Sequence, residues 1–301
     1  MKLKPECIPC LVERAKYECD IVFDEDRGKL RALKEFTAFL SEHLNLTELK
    51  PPPFFGTERE RILKRRSGVE DPHGEVKRRS NEVAKKLLSE ASQFYDAAGD
   101  KIEALIRIAA AANSMEYGIT GYSYSEADFQ HEFVHTLNEN LKWDRESIRS
   151  AIENRAKILY LTDNAGEIFF DAFVIRELIR MGKEVVVSPK SAPVINDATV
   201  EDLKEAGISY FEERCKIIPS GAYIGISLGE VEEEFLDVFS DERYLVIAKG
   251  MGNYETISEF EARFGLKGRL IYILRAKCEP VARSMGVRRG ELVAQFVTLR
   301  T

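Results

Sequence analysis

Asp163 and Asn164 stand where an apolar run, Lys157-Ile158-Leu159-Tyr160-Leu161-Thr162, gives way to Ala165-Gly166-Glu167. The pattern reads as a strand, a polar turn and the start of a helix. It places both side chains at the carboxyl end of a strand, the edge of an α/β sheet where ligands usually bind. Asp and Asn oxygens suit a hard divalent ion, and backbone amides at a helix start suit a phosphate. A helix cap is the competing account, because Asn164 with Glu167 three residues on fits a capping box. Farther along, Val185-Val186-Val187 is a second strand candidate, with Asn196-Asp197-Ala198-Thr199 in the segment after it. If the two strands are parallel neighbours, Asp197 arrives beside Asp163 and Asn164, and two carboxylates and an amide converge. An N-cap at Asn196 or Asp197 is the alternative there.

Two later strand ends carry cations. Leu245-Val246-Ile247-Ala248 runs into Lys249-Gly250-Met251-Gly252-Asn253-Tyr254-Glu255, where Lys249 is placed to neutralise a phosphate and the glycines let backbone amides approach it. Leu270-Ile271-Tyr272-Ile273-Leu274 ends in Arg275-Ala276-Lys277-Cys278-Glu279-Pro280, with Lys277 in a similar position. An exposed structural lysine is the default for each, but four polar or charged strand ends form a set. His131-Glu132-Phe133-Val134-His135 spells a different chemistry, the H-E-x-x-H helix of zinc metalloproteases. On a helical wheel Phe129, Phe133, Val134, Leu137 and Leu141 share one arc, while His131, Glu132 and His135 fall outside it and should point away from the helical core. No downstream His-x-x-Gly-x-x-His follows, and Glu153 is the one third ligand in view. Cys7-Ile8-Pro9-Cys10 is half of a zinc or redox pattern, lacking the second pair. Buried small side chains are its alternative reading, and Cys278 joins only if the fold brings the two termini together.

The elements that must position these residues divide the chain. Residues 81–98 and 101–115 carry apolar side chains at three- and four-residue spacing and predict helices, so the first half reads as a helical bundle. Pro51-Pro52-Pro53 predicts a loop over residues 51–56, and the basic stretch 59–66 after it reads as a solvated helix face. From about residue 155, short β-branched and apolar runs take over, including Ala222-Tyr223-Ile224-Gly225-Ile226, and they alternate with helical segments at 167–181 and 199–206. That alternation predicts a partly parallel α/β sheet, with a helical region over residues 1–154 and a sheet domain over 155–301. No internal repeat is present. At 301 residues and 44% hydrophobic content the chain can bury a sizeable core, and its net charge of −7 gives no reason to expect a nucleic-acid surface. No apolar run approaches the roughly 18 residues of a membrane span, and the first residues lack a secretory signal, so a cytoplasmic protein is expected. Five scattered cysteines do not make a disulfide framework.

Asp163-Asn164-Ala165-Gly166-Glu167, Asn196-Asp197-Ala198-Thr199, the segment from Lys249 to Glu255 and Ala276-Lys277-Cys278-Glu279-Pro280 together resemble the damage-control phosphatase family, formerly domain of unknown function 89. Pro5-Glu6-Cys7-Ile8-Pro9-Cys10 and Asp71-Pro72-His73 with Lys77 and Asn81 resemble its cysteine-containing, stand-alone prokaryotic branch. The resemblance implies a helical amino-terminal region packed on a Rossmann-like three-layer α/β/α sheet. It implies a divalent metal (Mn²⁺, Ni²⁺, Co²⁺ or Mg²⁺) on Asp163, Asn164 and Asp197, with substrate contacts at Glu167, the Gly252-Asn253-Tyr254 turn and Lys277. It further implies hydrolysis of phosphate monoesters of small, damaged metabolites such as sugar phosphates, with Asp163 and Asp197 in catalytic positions. Where the family more often shows Gly-Asn and an Asp, this chain has Ala112-Asn113 and Glu116. Two other classes stay open: an S-adenosylmethionine-dependent carboxyl methyltransferase, for which no Gly-x-Gly-x-Gly turn follows an early strand, and a non-catalytic metal-dependent binding module.

Overall fold

The computed structural model describes residues 1–114, 126–208 and 214–298. At its centre lies a seven-stranded sheet in the order β1-β7-β6-β5-β2-β3-β4. Strands β2 (Lys157–Leu161), β3 (Glu184–Ser188), β4 (Cys215–Ile217), β5 (Tyr244–Lys249) and β6 (Leu270–Arg275) run parallel. Strand β7 (Leu292–Phe296) returns antiparallel to β6, and β1 (Leu141–Trp143) pairs parallel with β7, ahead of residue 155 in the chain. The strands are apolar because both faces of the sheet are covered. Ile158, Tyr160, Val185, Val187, Leu245 and Ile247 face one helical layer, and Leu159, Leu161, Val186, Val246 and Ala248 face the other.

The first layer holds α4 (Gly74–Ala97), α5 (Lys101–Ser114), α6 (Glu126–Leu137), α7 (Arg145–Asn154), α8 (Glu167–Arg180) and α9 (Val200–Glu205). In α5, Ala109 to Ala112 are all buried, and their small side chains let neighbouring elements approach that part of the helix closely. The second layer holds α10 (Glu233–Ser240), α11 (Gly250–Ile257) and α12 (Glu279–Met285). Helices α1 (Cys7–Val22), α2 (Asp26–His43) and α3 (Pro52–Ser67) enclose a small core of their own around Leu11, Phe36, Leu40, Phe55 and Ile62, and α3 packs on α11. The architecture is therefore of the expected α/β class, built on a Rossmann-like sheet whose β1 lies within the stretch read as purely helical. β2 is its central parallel strand, with β3 on one side and β5 on the other, so the crevice at their carboxyl ends is the topological switch point.

Several local expectations are corrected. Residues 51–56 are not a loop: α3 begins at Pro52, because prolines in the first turn of a helix give up amides that would have no partner there anyway. Ala222-Tyr223-Ile224-Gly225-Ile226 is not a strand. Gly225 sits at φ 70, and a Cβ there would lie 2.2 Å from the Gly252 carbonyl oxygen, so this segment is a tight turn pressed against α11. Arg59 of the basic stretch is buried rather than solvated, on Glu18. The helix expected over 101–115 is α5, and Met115 and Glu116 lie outside the described residues. No helix among the described residues is long and apolar enough to cross a membrane.

Candidate active site

The turns after β2 and β3 are stitched together by backbone. The Ala198 N–H donates to Asp163 O at 2.8 Å and the Ala165 N–H to Asn196 O at 2.9 Å, forming a short antiparallel bridge between Asn164 and Asp197. Asp163, Asn164 and Asp197 thus meet at the switch point. Neither capping account survives. Helix α9 is capped by Thr199, whose N–H and Oγ1 donate to Asp202 Oδ2 at 2.8 and 2.7 Å, which leaves Asp197 outside the cap. Helix α8 starts at Gly166 with no side-chain cap, and Asn164 Nδ2 donates to Asp163 Oδ2 at 2.7 Å and Glu167 Oε2 at 3.1 Å. The amides expected to await a phosphate at this helix start are occupied at two positions: Ala165 as above, and Gly166, whose N–H meets Asn81 Oδ1 at 2.6 Å. Gly166 needs its φ of 75, and a Cβ there would lie 3.0 Å from the Ser80 carbonyl oxygen of α4.

Below this turn lies a dense polar network. Asn113, from the end of α5, donates through Nδ2 to Asp163 Oδ2 at 2.8 Å and Glu167 Oε2 at 3.0 Å. Lys249 Nζ is wholly buried between Glu167, which it bonds, and Asp171 Oδ1 at 2.7 Å; Tyr160 donates to the same Asp171 oxygen at 2.5 Å. Its charge is therefore directed to carboxylates. On the β3 side Lys190, 2% exposed, donates to Gly225 O at 2.6 Å and stands 3.8 Å from Asp197 Oδ2. Burial pushes Asp163 well above the usual carboxylate range, and the nearby Glu167 and Asp197 push the same way, while Lys277 and Asn113 pull back. Asp197 rises to about 6, again from burial, with Lys190 and Lys77 opposing. Burial lowers Lys190. Acidic groups held this close and this dry repel one another, and a divalent cation relieves that repulsion. Two carboxylates and an amide are hard oxygen donors that fit such an ion.

The remaining expected residues are placed unequally. Lys277 is near enough to Asp163 to draw its carboxyl down. Gly250 lies against Asp163, since a Cβ there would fall 2.0 Å from Oδ2, and its φ is 77. Asn253 donates to Thr162 O at 3.0 Å and Lys249 O at 2.7 Å, tying the β5 turn to the β2 turn, and Gly252 packs on Gly225. Tyr254 turns into the opposite core, edge-on to Tyr272 with its hydroxyl 2.7 Å from Ser284 Oγ. Sequence reading assigned nothing to Asn113, Lys190 or Asp171. The one available signal was Asp171 four residues after Glu167 in the otherwise apolar first half of α8, which puts both on one face.

The H-E-x-x-H helix is α6. Its Phe129, Phe133 and Leu137 are buried while His131, Glu132 and His135 are exposed; Val134 departs from the expected arc at 38% exposure, and Leu141 belongs to β1 instead. Among the described residues neither histidine belongs to a group of three ligand side chains, and His135 faces Glu139 at 3.4 Å. His131→Ala and His135→Ala should leave metal binding at Asp163 and the melting temperature at wild-type values, and a peptidase activity lost in either variant would reverse this reading. The termini do meet, through the Met1 ammonium with Glu259 at 3.0 Å and Arg283 with Glu6. Cys278 thereby comes near Cys7 and Cys10, but all are free, and burial pushes Cys278 up to about 11.

Comparison with known proteins shows the family to which the chain belongs. The family described as "Damage-control phosphatase ARMT1-like domain" matches residues 3–293. A damage-control phosphatase of Archaeoglobus fulgidus is 34% identical over 99% of this chain and 100% of its own length, and one of Pyrococcus horikoshii is 31% identical over 97% of each. The crystal structure of a DUF89 family protein from Pyrococcus horikoshii superposes with a TM-score of 0.87 at 30% identity, covering 99% of this chain and 100% of that one.

Proposed function

Because this chain belongs to the ARMT1-like damage-control phosphatase family, we propose that it is a divalent-metal-dependent phosphatase hydrolysing phosphate monoesters of small metabolites, sugar phosphates among them. The observation that carries this reading is the Asn164–Asp197 bridge, which gathers the half-buried Asp163, the buried Asp197 and an amide at the switch point of the sheet. Asp163, Asn164 and Asp197 would hold the ion. A bound divalent ion supplies Lewis acidity toward a phosphoryl oxygen and lowers the pKa of a water. The chain's own residues supply the rest. Hydrogen bonds to Asp163 from Asn113 and Asn164 both fall on Oδ2, fixing the carboxylate plane. Lys249 and Asn113 hold Glu167 beside it, where its carboxylate adds negative charge behind Asp163. Lys277, half-buried near Asp163, brings positive charge toward the phosphate.

The test is phosphate release from an aryl phosphate and a panel of sugar phosphates, with Mn²⁺, Co²⁺, Ni²⁺ or Mg²⁺ added singly or with excess chelator. Release should require an added ion. Equal release in chelator would sink the metal-dependent reading, methyl transfer without phosphate release would establish the methyltransferase class, and ligand binding without turnover would establish a binding module.

A further inference from the structure

A second acidic cluster lies in the helical region. Glu18 of α1, Glu60 of α3 and His73 at the start of α4 are 0%, 1% and 3% exposed, and one ligand atom from each lies within 4.8 Å of the other two. Glu18 is held by Arg59, Nε to Oε2 at 2.6 Å and NH2 to Oε1 at 2.7 Å, which leaves lone pairs on both oxygens. The other two residues lack such partners. Glu60 is buried with no side-chain hydrogen bond and only the Ile195 backbone turned toward it, and Nε2 of His73 is buried without a hydrogen bond. Their nearest charged neighbours are Lys64 Nζ, 3.6 Å from Glu60 Oε1, and each other at 3.7 Å. That separation exceeds a hydrogen bond, and buried polar groups are rarely left so.

We propose that Glu18, Glu60 and His73 form a structural site for a divalent transition-metal ion of the zinc type, separate from the centre at Asp163. Two carboxylates and an imidazole are an N/O donor set suited to such an ion. A tetrahedral ion with bonds of about 2.0–2.2 Å holds its ligand atoms roughly 3.3–3.6 Å apart, close to the 3.7 Å between His73 Nε2 and Glu60 Oε2. The ion would tie α1, α3 and α4 together. It would also brace the turn that carries Asp197, because α3 reaches that turn through Lys64 Nζ, 2.5 Å from Pro193 O, and Ile195, at φ 41, turns its backbone toward Glu60.

The test is elemental analysis of full-length protein loaded with Zn²⁺ and gel-filtered, in wild type, Asp163→Asn, Glu60→Gln and His73→Gln. Asp163→Asn should retain one equivalent of Zn²⁺, which Glu60→Gln and His73→Gln lose. Loaded with Co²⁺, Asp163→Asn should show visible absorption bands that Glu60→Gln lacks. Chelator should also lower the melting temperature of Asp163→Asn, a readout that stands even if the Glu60 and His73 variants fail to fold. No Zn²⁺ in Asp163→Asn, unchanged Zn²⁺ in Glu60→Gln and His73→Gln, or a melting temperature indifferent to chelator would each overturn the site. The phosphatase reading is untouched by those outcomes, since it rests on the other centre.

Discussion

Asp197→Asn should lose at least about tenfold in divalent-metal affinity and at least about 100-fold in turnover, because even partners outside the coordinating atoms typically cost 10–100-fold when removed. The substitution keeps size and one oxygen donor and removes one negative charge. Were Asp197 a helix cap, Asn would serve about as well and nothing would change; the cap of α9 is Thr199 with Asp202, so that refuge is closed. Folding should survive, since Lys190 keeps its bond to Gly225 O at 2.6 Å when Asp197 is neutralised. Calorimetric metal titration and turnover at saturating metal, with thermal melting as the control, decide the matter. Wild-type affinity and turnover would falsify the assignment of Asp197.

Lys249→Met should produce the largest loss of stability. Lys249, Glu167 and Asp171 are all essentially sealed from solvent, and Asp171 already has one oxygen, Oδ2, with no partner. Removing the cation strands two carboxylates, and breaking a buried pair from one side typically costs about 3–5 kcal/mol. For a chain of this length that is a fall in melting temperature on the order of 10 °C. Burial opposes the charge on Lys249, but Asp171 and Glu167 outweigh it and raise the lysine, while burial holds Asp171 at about 6 against the pull of Lys249. Both partners are therefore charged at neutral pH. The lysine's contribution is full below its ordinary value near 10.4 and is lost only as pH rises through the raised value in the folded protein. Adding Asp171→Asn to Lys249→Met should recover part of the loss, because the amide oxygen can still accept the Tyr160 hydroxyl. A single variant melting with wild type, or a double variant no better than the single, would show that this network does not carry the stability assigned to it.

Asp163 and Asn164 stood out in the sequence because they sit where an apolar run meets a polar turn, a boundary that is a local property of the chain. The same holds for the central strands, whose apolar side chains are required by cover on both faces of the sheet. Asp197 lies well past the end of β3 and joins Asp163 and Asn164 only through the bridge to Asn164. Strands β1 and β4, three residues each, are too short to show a period, and the prolines opening α3 carry the same signature as a loop until the chain on both sides is seen.

What the sequence determined by itself was the set of strand-end residues, their donor chemistry and the alternation of helix and strand. Whether those ends meet depended on strand order, and only the tertiary structure, with β2 between β3 and β5, decided that Asp163 faces Asp197. It also decided which charges are spent inside the protein. In sequence Lys249 reads as a phosphate ligand at a strand end and Lys190 carries no reading, and burial beside Glu167 and Asp171 for the one and Asp197 for the other is what turns both charges onto carboxylates. The physical reason is range: backbone preference and hydrophobic period act over a few residues, whereas desolvation and charge pairing are set by neighbours that the chain brings in from far along its length, as with Asn113 on Asp163.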